Sequence, residues 1–333
     1  MKPFKIKTAV IGTGSMGRNH ARILSEVSDL VGIYDMDRKI AKEVADRYSV
    51  ESYPDIEELI KRSGAQAVSI ATPTTHHAKS SITCLRSGIH VLVEKPIAED
   101  RSSAEKMIEE ARKAGVVLSV GMVERHNPIV KFTKEMIEKG IIGQIVTIGT
   151  KRLSTLPPRI KDVGVITDIG VHDMDVMRYI SGSEARTVYA LGGKVKTDNF
   201  EDHATFLVRF ANGIEGVGEV SWLSPMKVRK MTISGSNAIA EMDYIDQELL
   251  VSSSTFGVID PNNLWKIPQK YDIRRMRVQN EEPLRREIWD FLESVRDGKE
   301  PLVGGNDGLK ALLIAKAAEL SIETGKVVTV EDQ

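Results

Sequence analysis

Over the first third of the chain, short apolar runs rich in β-branched residues alternate with amphipathic stretches. The runs predict strands at 7–11, 30–34, 67–71, 89–93 and 117–121, and the stretches between them predict helices near 17–26, 37–47, 55–62, 76–87 and 101–114. Gly88 and Gly115 fall where helix C-caps belong. Such alternation builds βαβ units and a parallel sheet. After Gly121 the pattern changes to longer alternating runs at 145–153, 187–196, 204–210, 214–222 and 228–234, separated by polar turns of which Asn212-Gly213 is the strongest hairpin signal. Phe206-Leu-Val-Arg-Phe210 places apolar residues on one face only, which predicts an antiparallel sheet with an open face, covered by helices or by a partner subunit. Helices near 128–139, 169–181, 283–297 and 306–324 are expected to flank that sheet. The expected fold class is α/β: an N-terminal doubly wound parallel sheet of Rossmann type over 1–124, then a C-terminal α+β domain over 125–333 with an open-faced, largely antiparallel sheet.

With 333 residues and 41% apolar content, the chain is long enough for two cores. Lys and Arg number 46 against 47 Asp and Glu, so a net charge of -1 offers no bulk attraction to nucleic acid or an anionic membrane. The single cysteine, Cys84, reads as a small buried hydrophobe. No apolar run reaches the length of a membrane span and Met1-Lys-Pro-Phe-Lys-Ile6 has no signal-peptide core, so a cytoplasmic location is expected.

Gly12-Thr-Gly14-Ser-Met-Gly17 follows the strand-like Thr8–Ile11 and opens a helix. In that context the glycines supply a tight turn, close backbone approach to a pyrophosphate and close helix–sheet packing, with the phosphates on the helix N-terminus. Asp35, eighteen positions after Gly17 at the end of the second strand, can accept from both adenosine ribose hydroxyls and would repel a 2′-phosphate. NAD is the expected cofactor, with NADP less favoured although Arg38 and Arg47 lie nearby. Glu94-Lys95-Pro96 ends the fourth strand and puts a lysine at the mouth of the nucleotide-binding sheet, where a nicotinamide would lie.

Asp168 and His172 are four apart, a spacing that shares a face on a helix's first turns and lets the carboxylate orient the imidazole. Histidine titrates near neutrality and suits removal of a hydroxyl proton as hydride leaves. The competing reading is a helix cap at Asp168 and a structural hydrogen bond at His172. Asp173 and Asp175 point elsewhere on such a helix, so no metal is expected.

These residues carry a resemblance to the Gfo/Idh/MocA oxidoreductases along essentially the whole chain, in Gly12–Gly17, Ala71-Thr72-Pro73 with His77, Glu94-Lys95-Pro96, Asp168 with His172, and Glu282-Pro283-Leu284 through Asp307-Gly308. The resemblance implies a nicotinamide cofactor held by Gly12, Gly14, Ser15, Met16, Gly17, Asp35, Thr72, Pro73, His77, Glu94 and Lys95. It also implies catalysis by Lys95, His172 and Asp168 on a sugar lying between Lys95 and His172. Within the family, Val120–Pro128, Lys151–Leu153, Pro157–Arg159, Asp162–Val165 and Ser221–Arg229 resemble UDP-N-acetylglucosamine 3-dehydrogenases and related nucleotide-sugar dehydrogenases. That likeness implies oxidation of a UDP-N-acetylhexosamine, with Arg125, Asn127, Arg152, Arg159, Lys227 and Arg229 as substrate contacts. Guanidinium forks bind phosphate oxygens bidentately. Lys227 and Arg229 read equally well as solvated strand-edge charges. Thr74 and His126 depart from the family's pattern near the expected nicotinamide and sugar and leave the identity of the sugar open, with a free polyol of the inositol type as the alternative substrate; the resemblance also implies an NAD(P)-binding regulator as the alternative class, against which Lys95, Asp168 and His172 together argue. A homodimer or homotetramer through the C-terminal sheet is expected. The stretch 255–275 reads as either a substrate-covering loop or a subunit arm.

Overall fold

The computed structural model describes residues 4–156, 163–256, 262–263, 265 and 269–332. The chain forms two compact units, one from Met1–His126 with Glu282–Leu313 and the other from Asn127–Glu281 with Ile314–Gln333.

In the first unit, β1 (Lys7–Ile11), α1 (Ser15–Val27), β2 (Asp29–Tyr34), α2 (Arg38–Tyr48), β3 (Glu51–Ser52), α3 (Ile56–Ser63), β4 (Ala67–Ile70), α4 (Thr74–Arg86), β5 (His90–Glu94), α5 (Arg101–Ala114) and β6 (Leu118–Gly121) alternate along the chain. The strands make a parallel sheet in the order β3-β2-β1-β4-β5-β6. Every residue of β4 is buried, as a parallel sheet covered on both faces requires. All five expected strands and all five expected helices are present; β3, two residues long, carries too few side chains to show as a pattern. Asp37, Asp55 and Asp100 cap α2, α3 and α5 by accepting from main-chain N–H groups of the first turn.

The second unit contains α6 (Pro128–Glu138), β7 (Ile145–Thr155), α7 (Val171–Ser181), β8 (Ala185–Gly193), β9 (His203–Phe210), β10 (Glu215–Ser221), β11 (Leu223–Gly235), β12 (Ile239–Asp243), β13 (Glu248–Phe256) and β14 (Gln269–Arg277). After α8 (Pro283–Asp297) and α9 (Gly305–Thr324), β15 (Val328–Thr329) closes the sheet, whose order is β14-β13-β12-β11-β7-β10-β9-β8-β15. Every neighbouring pair is antiparallel except β10 with β7. On β9, Ala204, Phe206, Val208 and Phe210 are buried while Thr205, Leu207 and Arg209 face outward, so the expected open face is present.

Two expectations need correction. A single cut between 124 and 125 is too simple, because 282–313 belongs to the first unit. The helix expected to flank the C-terminal sheet, α8, instead packs in the first unit's core. Leu284, Ile288, Phe291 and Leu292 recur at helical spacing and join Phe4, Val10 and Leu24 there. Burying each of these side chains stabilises by about 1.5–3 kcal/mol, which decides where the helix goes. Part of the stretch 255–275 is sheet, since β14 pairs along the whole of β13, and most of what joins them lies outside the described residues.

Candidate active site

The cofactor end of the first unit is assembled from three strand ends. The sheet order reverses between β1 and β4, and the glycine turn after β1, Thr72-Pro73 after β4 and Lys95 after β5 all leave from the carboxyl edge where dinucleotides bind. Gly12 has φ +88°, and an added Cβ would stand 2.7 Å from the Ala71–Thr72 main chain. A Cβ on Gly17 would meet the Gly12 carbonyl at 1.9 Å, while one on Gly14 would enter open space. The first and third glycines therefore serve packing, and the second keeps a cradle clear. Helix α1 begins at Ser15-Met16-Gly17 with Gly14 as N-cap and no side-chain cap, and α4 begins after Pro73 equally without one. With α2, α3 and α5 all aspartate-capped, these two are, of the five helices that alternate with the strands, the ones whose first-turn donors no side chain caps, as an anion site needs. The Thr72 hydroxyl is buried without a partner at the same edge. An NAD pyrophosphate fits this arrangement.

Asp35 stands at the end of β2, accepting from Thr13 N at 2.6 Å and Thr13 Oγ1 at 2.9 Å through Oδ2, and from Asp37 N at 2.9 Å through Oδ1. It thus braces the glycine turn and retains capacity to accept from a ribose hydroxyl. His77 is placed differently from a cofactor contact. Its Nδ1 lies 2.8 Å from the Pro96 carbonyl and its Nε2 2.9 Å from the Thr72 carbonyl, so the ring ties the two cofactor-side turns together. Burial pushes its pKa down, and a neutral ring donates to one of these carbonyls at a time. Glu94 is buried beneath half-buried Lys95, accepting from Lys95 N at 3.1 Å and bonding His20 Nε2 at 3.1 Å. Sequence reasoning missed His20, four residues into α1 from Met16 and facing the sheet.

In the second unit Asp168 does not cap a helix. A π-helical turn, Ile166–Gly170, precedes α7, whose N-cap is Gly170. Asp168 lies inside that turn and half-buried His172 follows in the first turn of α7. Wide i→i+5 turns of this kind concentrate at functional sites. The turn is held by Glu201, which accepts from Ile166 N at 3.0 Å and whose pKa burial raises, and by Glu319, which accepts from the Thr167 hydroxyl. Neither glutamate was expected, because nothing local in the sequence marks a partner 35 or 152 residues away.

The expected substrate cations divide. Arg152 is buried on β7, donating to Asp173 Oδ1 on α7 at 3.0 and 2.8 Å and lying 5.2 Å from the Tyr244 ring centre. Asn127 caps α6 and donates to the Tyr244 carbonyl at 3.1 Å. Arg125, in the first unit, is buried against Asp307 at 3.1 Å and the Leu302 carbonyl at 3.2 Å. All three are thus committed to partners within their own unit. Lys227 is exposed and Arg229 half-buried on β11, and an irregularity between Leu223 and Val228 breaks the regular two-residue repeat expected there. Arg229 pairs opposite Arg152. Arg159 lies outside the described residues. His126 is buried with Nε2 lacking a partner, and burial beside Arg125 and Arg286 pushes its pKa down to about 3. No helix among the described residues is long and apolar enough to cross a membrane.

Comparison with known proteins agrees with this architecture. Residues 6–122 match the oxidoreductase family with an NAD-binding Rossmann fold, and residues 130–241 match the GFO/IDH/MocA C-terminal domain. The chain is 28% identical to myo-inositol 2-dehydrogenase of Thermotoga maritima, over 98% of this chain and 99% of that protein. It is also 28% identical to UDP-N-acetylglucosamine 3-dehydrogenase of Acidithiobacillus ferrooxidans, over 96% of this chain and 97% of that protein. The solved structure of the latter superposes with a TM-score of 0.85 at 26% identity, covering 96% of this chain and 98% of that one. With both family domains matched in order, a glycine cradle on the carboxyl edge of the sheet, and a lysine following β5, the chain belongs to the Gfo/Idh/MocA family of NAD-binding oxidoreductases.

Proposed function

We propose that this oxidoreductase oxidises a secondary ring hydroxyl of a cyclic sugar, with a UDP-N-acetylhexosamine, attacked at its 3-position, as the substrate. The observation that carries the reading is Lys95 at the end of β5, on the same carboxyl edge of the sheet as the glycine cradle and the N-terminus of α1, which no side chain caps. A cation there meets an alcohol that approaches a nicotinamide. NAD, when bound, supplies the hydride acceptor. The Lys95 ammonium donates to the hydroxyl oxygen and stabilises the alkoxide that develops as the C–H bond breaks. His172 removes the hydroxyl proton, directly or through a water, and Asp168 orients the imidazole from the preceding π-turn. The cofactor residues retained in this reading are Gly12, Gly14, Ser15, Met16, Gly17, Asp35, Thr72 and Pro73, with His77 and Glu94 shaping the turns around them.

A second reading, oxidation of a free polyol of the inositol type, is favoured by the internal pairing of Arg125 and Arg152, which removes two of the cations meant for a diphosphate. The nucleotide-sugar reading then rests on Lys227, Arg229 and Arg159. Titration calorimetry of the NAD complex with UDP-N-acetylglucosamine and with myo-inositol separates them: heat with the first and none with the second supports the nucleotide sugar, and the reverse result replaces it. NADH formation across UDP-sugars, polyols and aldoses tests the reaction itself. The open sheet face exposes Leu191, Leu207 and Val217, apolar side chains that support association of copies into a homodimer or homotetramer, measurable by light scattering.

A further inference from the structure

Beneath Lys95 the first unit holds four polar side chains in its core. Ser69 Oγ on β4 lies 2.7 Å from His20 Nδ1 on α1, and His20 Nε2 lies 3.1 Å from Glu94 Oε1 at the end of β5. The fourth is Glu287 on α8, fully buried, with neither carboxylate oxygen hydrogen-bonded. One oxygen of Glu287, one of Glu94 and a ring nitrogen of His20 lie within 4.8 Å of one another. Nε2–H of His20 donates to the Glu94 carboxylate, and the Ser69 hydroxyl is the partner of Nδ1.

Two ionised carboxylates this close in the buried core repel each other at a high cost, and one takes up a proton. The choice between them follows from their partners. Burial pushes Glu94 up, but the His20 bond, the His20 and Lys95 charges and the Lys95 N–H together more than offset it, and its pKa is lowered. Glu287 has no such bonds. Burial raises its pKa, and the charges that act on it, Glu94 and Asp290, are both acidic and raise it further. On the elements packed against α8, α1 also carries Arg18, His20, Arg22 and Glu26, β5 carries His90, and the turn Val123–His126 carries Glu124, Arg125 and His126; Arg18 pairs with Glu43, Arg22 with Glu282, Glu26 with Arg285, and Arg125 with Asp307 and the Leu302 carbonyl.

We propose that Glu287 is a positioning residue, held in the folded protein as a neutral carboxylic acid so that a single negative charge, on Glu94, anchors the main chain of Lys95. Ionising Glu287 would set two like charges against each other and push Glu94 away from the Lys95 N–H it accepts from. The kinetic part of this inference rests on the catalytic role given to Lys95 above; the spectroscopic part does not.

Infrared spectroscopy of the wild type reads the proton directly. A protonated-carboxyl C=O band that persists at neutral pH and vanishes in Glu287→Gln is expected; a spectrum with no such band overturns the proposal. Stability supplies a check that needs no variant. The folded pKa lies above the unfolded one, so the stability Glu287 contributes below the ordinary carboxylate range is lost as pH rises toward the folded value, and Glu287→Gln should flatten that decline. In turnover, Glu287→Ala should lower kcat by roughly tenfold to a hundredfold through misplacement of Lys95, and Glu287→Gln, neutral and of the same shape, should restore most of it. Failure of rescue while the band is present would remove the positioning role and leave the neutral acid. A stoichiometric divalent metal by mass spectrometry of the purified protein, with a fall in melting temperature on chelation, would assign the same three groups to a cation and overturn the proposal.

Discussion

The two units handle charge in opposite ways. At the cofactor end of the first, two of the five helices that alternate with the strands have no side-chain cap at their N-termini, while the other three are closed by Asp37, Asp55 and Asp100. In the second, Arg152 is consumed by Asp173 and Asn127 by the end of α6 and the Tyr244 carbonyl. An anion site made of main-chain donors is specified by glycine spacing within six residues. One made of side chains depends on which acids the fold brings alongside, and those acids are far away in sequence.

The largest expected effect tests whether chemistry is shared between the units. Lys95→Met in the first and His172→Ala in the second should each lower kcat by roughly 10²–10⁴-fold with NAD affinity nearly intact, measured by steady-state kinetics and cofactor titration. Near-wild-type turnover in either would confine the chemistry to the other unit. Asp168→Asn should cost less than His172→Ala, since it acts only through the imidazole.

Next in size is the buried pair. Arg152→Ala should destabilise the protein by about 3–5 kcal/mol in denaturant unfolding, because it removes the buried cation that donates twice to the buried Asp173 carboxylate. A variant that keeps its stability and instead raises KM for a UDP-sugar would make Arg152 a ligand and dissolve the contrast between the units.

The cofactor end is sharpened by Asp35→Ser, which should shrink the preference for NAD over NADP by about 1–3 kcal/mol, the worth of charge-assisted hydrogen bonds, read from the four dissociation constants. Equal binding of both cofactors by the wild type would leave Asp35 with its brace on Thr13 alone. The smallest effect concerns the two cations of β11. Lys227→Ala and Arg229→Ala should each raise KM for UDP-sugar by about tenfold, leave any free sugar unaffected, and lose their influence as salt screens the phosphate.

Legibility in the sequence follows the same divide. Gly12, Gly14, Gly17 and Asp35 were readable because each is set by local backbone geometry, and the alternating strands of β9 and β10 because one face is buried. Strands β12 and β13 were not, since the turn between them has no Asn-Gly or Asp-Gly signal; Gln247 takes the left-handed conformation there at φ 50°. The π-turn at Asp168 leaves no mark in a helical pattern, and a wider turn still carries residues four apart on one side. Arg125 with Asp307 and Glu94 with Glu287 are pairings of the folded state alone: their periodicity is that of any amphipathic segment.

The return of α8 to the first unit has a consequence for how the protein is made. On the ribosome, residues 1–126 emerge long before Leu284, Ile288, Phe291 and Leu292, so the nascent nucleotide-binding sheet waits for most of the second unit to be synthesised with an apolar surface beside α1 still uncovered. A fragment ending at His126 carries that bare surface permanently, and its association in solution, relieved by adding back a peptide of residues 282–297, would show that the last third of the chain finishes what the first third begins.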